Sequence, residues 1–218
     1  MPKLNFLIDP DKEYEYHRLF LSHRGLARLS LFNHSSIEDK ERIIRKINSF
    51  WDNQDREVIN EIEKHWQTIE TQYFNLVEKI TGVPWVYQNY SAFFLAFSLV
   101  AGFSNPFNLK SSEIVLTTGA AINPKFIVAH ELFHSHYYYV VDKLGLTEKA
   151  NKTLFTEGIA GLALFKTEMR ELFPDTDTEK SISSYSEVRQ NWEKLETLWG
   201  ERTSFKDFLI EAVKIEDQ

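Results

Sequence analysis

Residues 130–134 of this 218-residue chain read His-Glu-Leu-Phe-His. Side chains four apart on an α-helix lie one above the other on a single face. His130 and His134 could therefore hold one Zn²⁺ between their imidazoles. Glu131, one step round, reaches a water at the metal rather than the metal itself, where it can act as general base. A chance HExxH in a chain of this length is expected in well under roughly one case in a hundred. A catalytic zinc needs a third protein ligand and an open position. The longer pattern HExxHxxGxxH fails, because Tyr137 and Val140 stand where Gly and His are required. Asp142 lies ~12 Å further along the helix, too far to share the ion. The best third ligand is Glu157, 157 − 134 = 23 positions on, in Thr156-Glu157-Gly158-Ile159-Ala160-Gly161. Gly158, Ala160 and Gly161 keep that segment thin, so its backbone could approach the HExxH helix. The alternative is a solvated first-turn Glu favoured by the helix dipole.

Several elements must position these groups. Residues 11–32 carry a weak helical pattern with Tyr14, Leu19, Phe20 and Leu21 inward. Ser36 followed by Asp39 predicts a helix to about Trp51, with Ile43, Ile44, Ile47, Phe50 and Trp51 on one face. Asp55 opens a longer helix. Val58, Ile62, Trp66, Ile69, Tyr73, Leu76 and Ile80 recur along it at steps of three and four, and Gly82 and Pro84 stop it. Residues 83–90, 92–101 and 113–118 read as strands, with a turn at 102–108. Asn123 and Pro124 then predict a helix start, running to about Leu144 before Gly145. Further helices are predicted over 152–173, 185–199 and 205–215, with a polar loop at 175–184. Helices, a small sheet, then helices make an α+β arrangement.

HExxH followed two dozen residues later by Glu in an E-G-x-A context resembles the gluzincin branch of zinc metallopeptidases, over residues 83–173. The resemblance implies a zincin-like core: a small mixed sheet, an HExxH active-site helix and a Glu-ligand helix, with helices added at both ends. It implies zinc on His130, His134 and Glu157, peptide-bond hydrolysis, and a strand edge that aligns the substrate, for which 113–118 is the natural candidate. Many gluzincins place an Asp four residues after the Glu ligand to orient the first His; here that position is Gly161. Such enzymes also place a Tyr or His against the oxyanion. Candidates are Tyr185, Tyr137, Tyr138 and His136, with Tyr185 preferred because it follows the Glu helix. His17, His23, His34 and His65 lack ligand spacing, and Trp51, Trp66 and Trp192 sit at core spacing.

Composition is that of an ordinary folded protein. Hydrophobic residues are 43% and charged residues 26%, which excludes disorder and fibrous classes. No Cys is present, which excludes thiol catalysis, thiolate metal sites and a disulfide scaffold. A net charge of −7 without a basic block argues against nucleic acid and anionic membrane as partners. No signal peptide or spanning run is seen, so a cytoplasmic location is expected. Residues 1–82 would form a helical segment packed on a core of residues 83–218, as one compact unit. The expected partner is a peptide or protein substrate; oligomeric state is silent. Two rivals stand beside the peptidase reading. The zinc site could be latent or non-catalytic, in a helical protein that serves as a partner-binding module. Alternatively, residues 1–82 could cover the cleft until removed.

Overall fold

The computed structural model describes residues 1–23, 26–54, 56–99, 101–104, 111–177 and 185–215. It is α+β, as expected, with about 65% helix around one four-stranded mixed sheet. The strands are β1 (Lys3–Leu7), β2 (Asn89–Phe94), β3 (Gly102–Ser104) and β4 (Glu113–Leu116), in the order β1-β2-β4-β3. β1 and β4 both run parallel to β2, and β3 runs antiparallel to β4.

The N-terminal segment differs from its sequence reading. β1 is a strand that the sequence analysis does not anticipate; its five residues alternate only loosely between buried and exposed. Helix α1 (Pro10–Ser22) starts where the Asp9 side chain accepts from the Lys12 N–H and Pro10 supplies the first turn. Leu19, expected inward, is exposed. Ser36 belongs to the short helix α2 (His34–Ile37). It is Asp39 that caps α3 (Lys40–Asn53), through the Arg42 N–H. The long helix expected from Asp55 is two: α4 (Glu57–Gln67) and α5 (Glu70–Thr81), while Asp55 itself lies outside the described residues. At the break the Thr68 hydroxyl donates to the His65 carbonyl and the Trp66 indole N–H donates to Glu70. The apolar spacing continues through this corner, so the period gives no sign of it. Gly82 closes α5 in the left-handed region, φ 66°.

Residues 83–88 are irregular, and of the apolar run 92–101 only 92–94 extend a strand. The expected turn begins as strand β3, and residues 105–108 of it lie outside the described residues. The remaining helices are α6 (Pro124–Lys143), α7 (Thr147–Ala150), α8 (Thr153–Phe165), α9 (Ser186–Glu201) and α10 (Phe205–Ala212). The helix expected over 152–173 stops at Phe165 and resumes as a 3₁₀ turn at Glu168–Leu172, capped by the Thr167 hydroxyl. Of the polar loop at 175–184, residues 178–184 lie outside the described residues.

One buried cluster links the sheet, α3 to α6, α8 and α9, with residues from both sides of position 82. Glu13, itself buried, accepts from the Ala96 and Phe97 N–H groups and from the Trp51 indole. β1 is hydrogen-bonded along its length to β2. Residues 1–82 therefore supply the edge strand β1 and core side chains to the same sheet and cluster as the residues after 82. Among the described residues no helix is long and apolar enough to cross a membrane.

Candidate metal centre

Helix α6 carries the two histidines through its buried middle. Pro124 occupies its first turn, as expected. The Asn123 side chain makes no cap; its amide donates instead to the Thr176 hydroxyl at 2.9 Å. From Val128 to Tyr137 every residue except His130 is buried. The Tyr73 hydroxyl donates to the Ala129 carbonyl at 2.6 Å, tying α5 to the turn that presents His130.

Helix α8 packs across α6 and brings Glu157 to the same point. His130 Nε2 lies 3.1 Å from Glu157 Oε2, His134 Nε2 lies 3.3 Å from Glu157 Oε1, and the two Nε2 atoms are 2.9 Å apart. Two ligand atoms bound tetrahedrally at zinc distances would be ~3.3 Å apart. The three donors thus converge at close to the spacing a divalent ion requires, and all can be placed within 4.8 Å of one another. Burial raises the Glu157 carboxyl, but His134 and His130 outweigh it and hold the group well below the usual carboxylate range. The donor set is therefore a carboxylate and two imidazoles, and it suits zinc.

Gly158 does not do what its sequence position suggested. A Cβ there would sit 2.8 Å from Leu195 Cδ1, so the small residue accommodates α9 rather than α6. The Nδ1 atoms of His130 and His134 are buried and have no hydrogen-bond partner among the described residues. Metal-bound histidines ordinarily donate that N–H to a carboxylate or carbonyl.

Glu131 is buried one step from His130. Burial, with Glu157 adding to it, raises its carboxyl to about 7; His130 and the Ser104 backbone N–H oppose the rise. A carboxylate poised there is matched to proton transfer near neutrality.

Of the four aromatic candidates, the fold brings two to the centre. Tyr185, 40% exposed and immediately before α9, is raised by burial and by the nearby charges of Glu157 and Glu131, which puts its phenol beside the ligand carboxylate. Tyr138 is half-buried, with its ring 6.4 Å from that of His134. The other two serve packing. The Tyr137 hydroxyl donates to the Ala150 carbonyl inside the core, although its spacing from His134 suggested the ligand face. His136 pairs with the Thr81 hydroxyl and packs on Trp85; burial lowers it to about 3. His17 is likewise internal, between Glu13 and Ser30. Among the described residues no further His, Asp or Glu joins the cluster.

The sheet edge nearest the centre also differs from expectation. β4 is hydrogen-bonded on both sides, by β2 and β3, so 113–118 cannot align a peptide. The edge is β3. Thr117 N–H donates to Ala101 C=O, which makes 101 and 103 the residues turned towards β4. Gly102 and Ser104 consequently turn their backbone groups outward, towards α6. Sequence reasoning missed this strand, and also Phe126, whose ring lies 5.6 Å from His130. Phe126 stands four residues before His130, and that spacing is the one available sequence signal; a backbone N–H such as Ser104's leaves none.

No family of known proteins matches the chain, nor does any curated protein or any solved structure.

Proposed function

We propose that this protein is a zinc-dependent metallopeptidase, gluzincin-like in its ligand set, that hydrolyses peptide bonds. The observation that carries the reading is the convergence of His130, His134 and Glu157 beside a buried Glu131 with a raised carboxyl. His130 and His134 would hold the ion through Nε2 and Glu157 through its carboxylate. When bound, zinc supplies Lewis-acid activation of the scissile carbonyl and of water. Glu131 takes the water's proton on its carboxylate and delivers it to the leaving amine. Tyr185, beside the ligand carboxylate, can turn its O–H to the carbonyl oxygen as negative charge develops there. Among the described residues no further strand pairs with β3, which runs beside Glu131, and such an edge suits an extended peptide better than a compact ligand.

One observation favours a second reading, a latent or non-catalytic zinc-binding protein: neither histidine has a partner on Nδ1 among the described residues. Metal analysis and a mixed-peptide cleavage assay on the wild type, His134→Ala and Glu157→Ala separate the two. One zinc per chain, lost or weakened in both variants, with chelator-sensitive cleavage in the wild type, supports the peptidase. Zinc without cleavage supports the latent site. No zinc uptake refutes both.

A further inference from the structure

β3 makes two contacts with the general-base candidate. A Cβ built on Gly102 would lie 3.2 Å from Glu131 Cγ, 3.2 Å from Ile127 Cγ2 and 3.1 Å from Leu116 Cδ2. The strand backbone therefore rests directly on the Glu131 side chain. Two residues on, the Ser104 N–H is also turned outward, and it lowers the Glu131 carboxyl as a donor facing the carboxylate does. Both contacts come from the strand's outer, non-ladder positions, as the pairing of Ala101 with Thr117 requires. A carboxylate adjacent in sequence to a metal ligand could otherwise rotate towards the ion and become a fourth ligand.

We infer that Gly102 and the Ser104 backbone N–H are positioning groups that hold the Glu131 carboxylate beside the metal ligands rather than on the metal. Gly102 leaves the room Glu131 occupies, because a Cβ there would press on Glu131, Ile127 and Leu116 by a few tenths of an ångström. Ser104 is required for its amide hydrogen and not for its hydroxyl. The inference rests on the proposed peptidase reading for its catalytic consequence, but the contact itself does not.

The test uses the full chain with Ser104→Pro, Ser104→Ala and Gly102→Ala. Proline removes the N–H at an outer edge position, where no ladder bond is lost. Ser104→Pro should lower kcat by about tenfold or more, since a displaced general base forfeits part of its ~10²–10⁴-fold contribution, with KM and zinc content little changed. Gly102→Ala should lower kcat in the same way by a smaller factor and guards against misfolding of the proline variant. Ser104→Ala should match the wild type. Equal kcat in a folded Ser104→Pro or Gly102→Ala would overturn the inference, as would a Ser104→Ala defect as large as the proline one. An independent readout is the Ser104 amide in the metal-free protein. Its hydrogen exchange should be slowed in the wild type and accelerated in Glu131→Ala; unchanged exchange overturns the contact. If the wild type cleaves no peptide, the peptidase reading fails while the amide measurement still decides the positioning.

Discussion

Glu131→Gln should stabilise the metal-free protein at alkaline pH while removing its proton acceptor. Burial above all, and then Glu157, raises the Glu131 carboxyl from 4.5 to about 7. Between those values the folded chain keeps a proton that the unfolded chain has released. Stability therefore falls as pH rises through that window, and the loss remains above it. At about 1.4 kcal/mol per pH unit, the span from 4.5 to about 7 costs about 3 kcal/mol once the carboxylate is ionised. Glutamine has nearly the same shape, keeps a carbonyl for the Ser104 N–H and carries no charge to desolvate. Urea unfolding in the presence of chelator, at about pH 4.5 and about pH 8, reads the difference. The variant should be about 3 kcal/mol the more stable at the higher pH and nearly equal to the wild type at the lower. A gap of equal size at both values, or a wild type that is the more stable at pH 8, would refute the reasoning. A cost of that size in a buried carboxylate is the kind of penalty that active sites accept. Loaded with zinc, the same variant should keep its metal and lose ~10²–10⁴-fold in turnover.

Other expectations concern the surroundings of the centre. His136, lowered to about 3 by burial, must stay neutral; stability should fall below about pH 6.5 by up to ~1.4 kcal/mol per unit, and acid titration of His136→Gln should lack this slope. Tyr73→Phe removes the hydroxyl that donates to Ala129 at 2.6 Å and should cost about 1 kcal/mol in denaturant unfolding. Gly158→Ala drives a Cβ to 2.8 Å from the buried Leu195 and should cost about 1–3 kcal/mol, with weaker zinc retention because Glu157 is its neighbour. Zinc at about 100 times its Kd should raise stability by about 2.7 kcal/mol in the wild type and not in His134→Ala.

Much of the architecture is legible in local signals. Pro124, Gly82 and Gly145 mark helix ends because ring geometry and left-handed φ act within a few residues. The same local reading fails where distant groups decide. The α4–α5 corner keeps an unbroken apolar period, and the break is held by the Trp66–Glu70 and Thr68–His65 bonds. β1 is a strand because β2 offers it a parallel ladder 89 − 3 = 86 positions later in the chain. The run at 92–101 looks like one buried strand, yet its ladder ends at Phe94, and Ala96 and Phe97 are tied instead to the carboxylate of Glu13.

The same division runs through the site. His130, Glu131 and His134 are a pattern on one helix, so spacing alone places two imidazoles on a face and the carboxylate beside them. Glu157 is named by its context, but only the packing of α8 on α6 puts its oxygens within 3.1–3.3 Å of both imidazoles. Tyr137 and Tyr185 show the limit most sharply. Tyr185, preferred for its place after the Glu helix, lies beside Glu157 only because the start of α9 is packed there, whereas Tyr137, at ligand-face spacing, is taken by the core for Ala150. The sequence by itself determines which groups could bind a metal and move a proton, because those are properties of residue type and of the local helical period. The tertiary structure decides which of them meet, which strand edge stays open and which backbone N–H steadies Glu131. Those depend on contacts between segments far apart in the chain, where burial and packing act on pairs that no local pattern names.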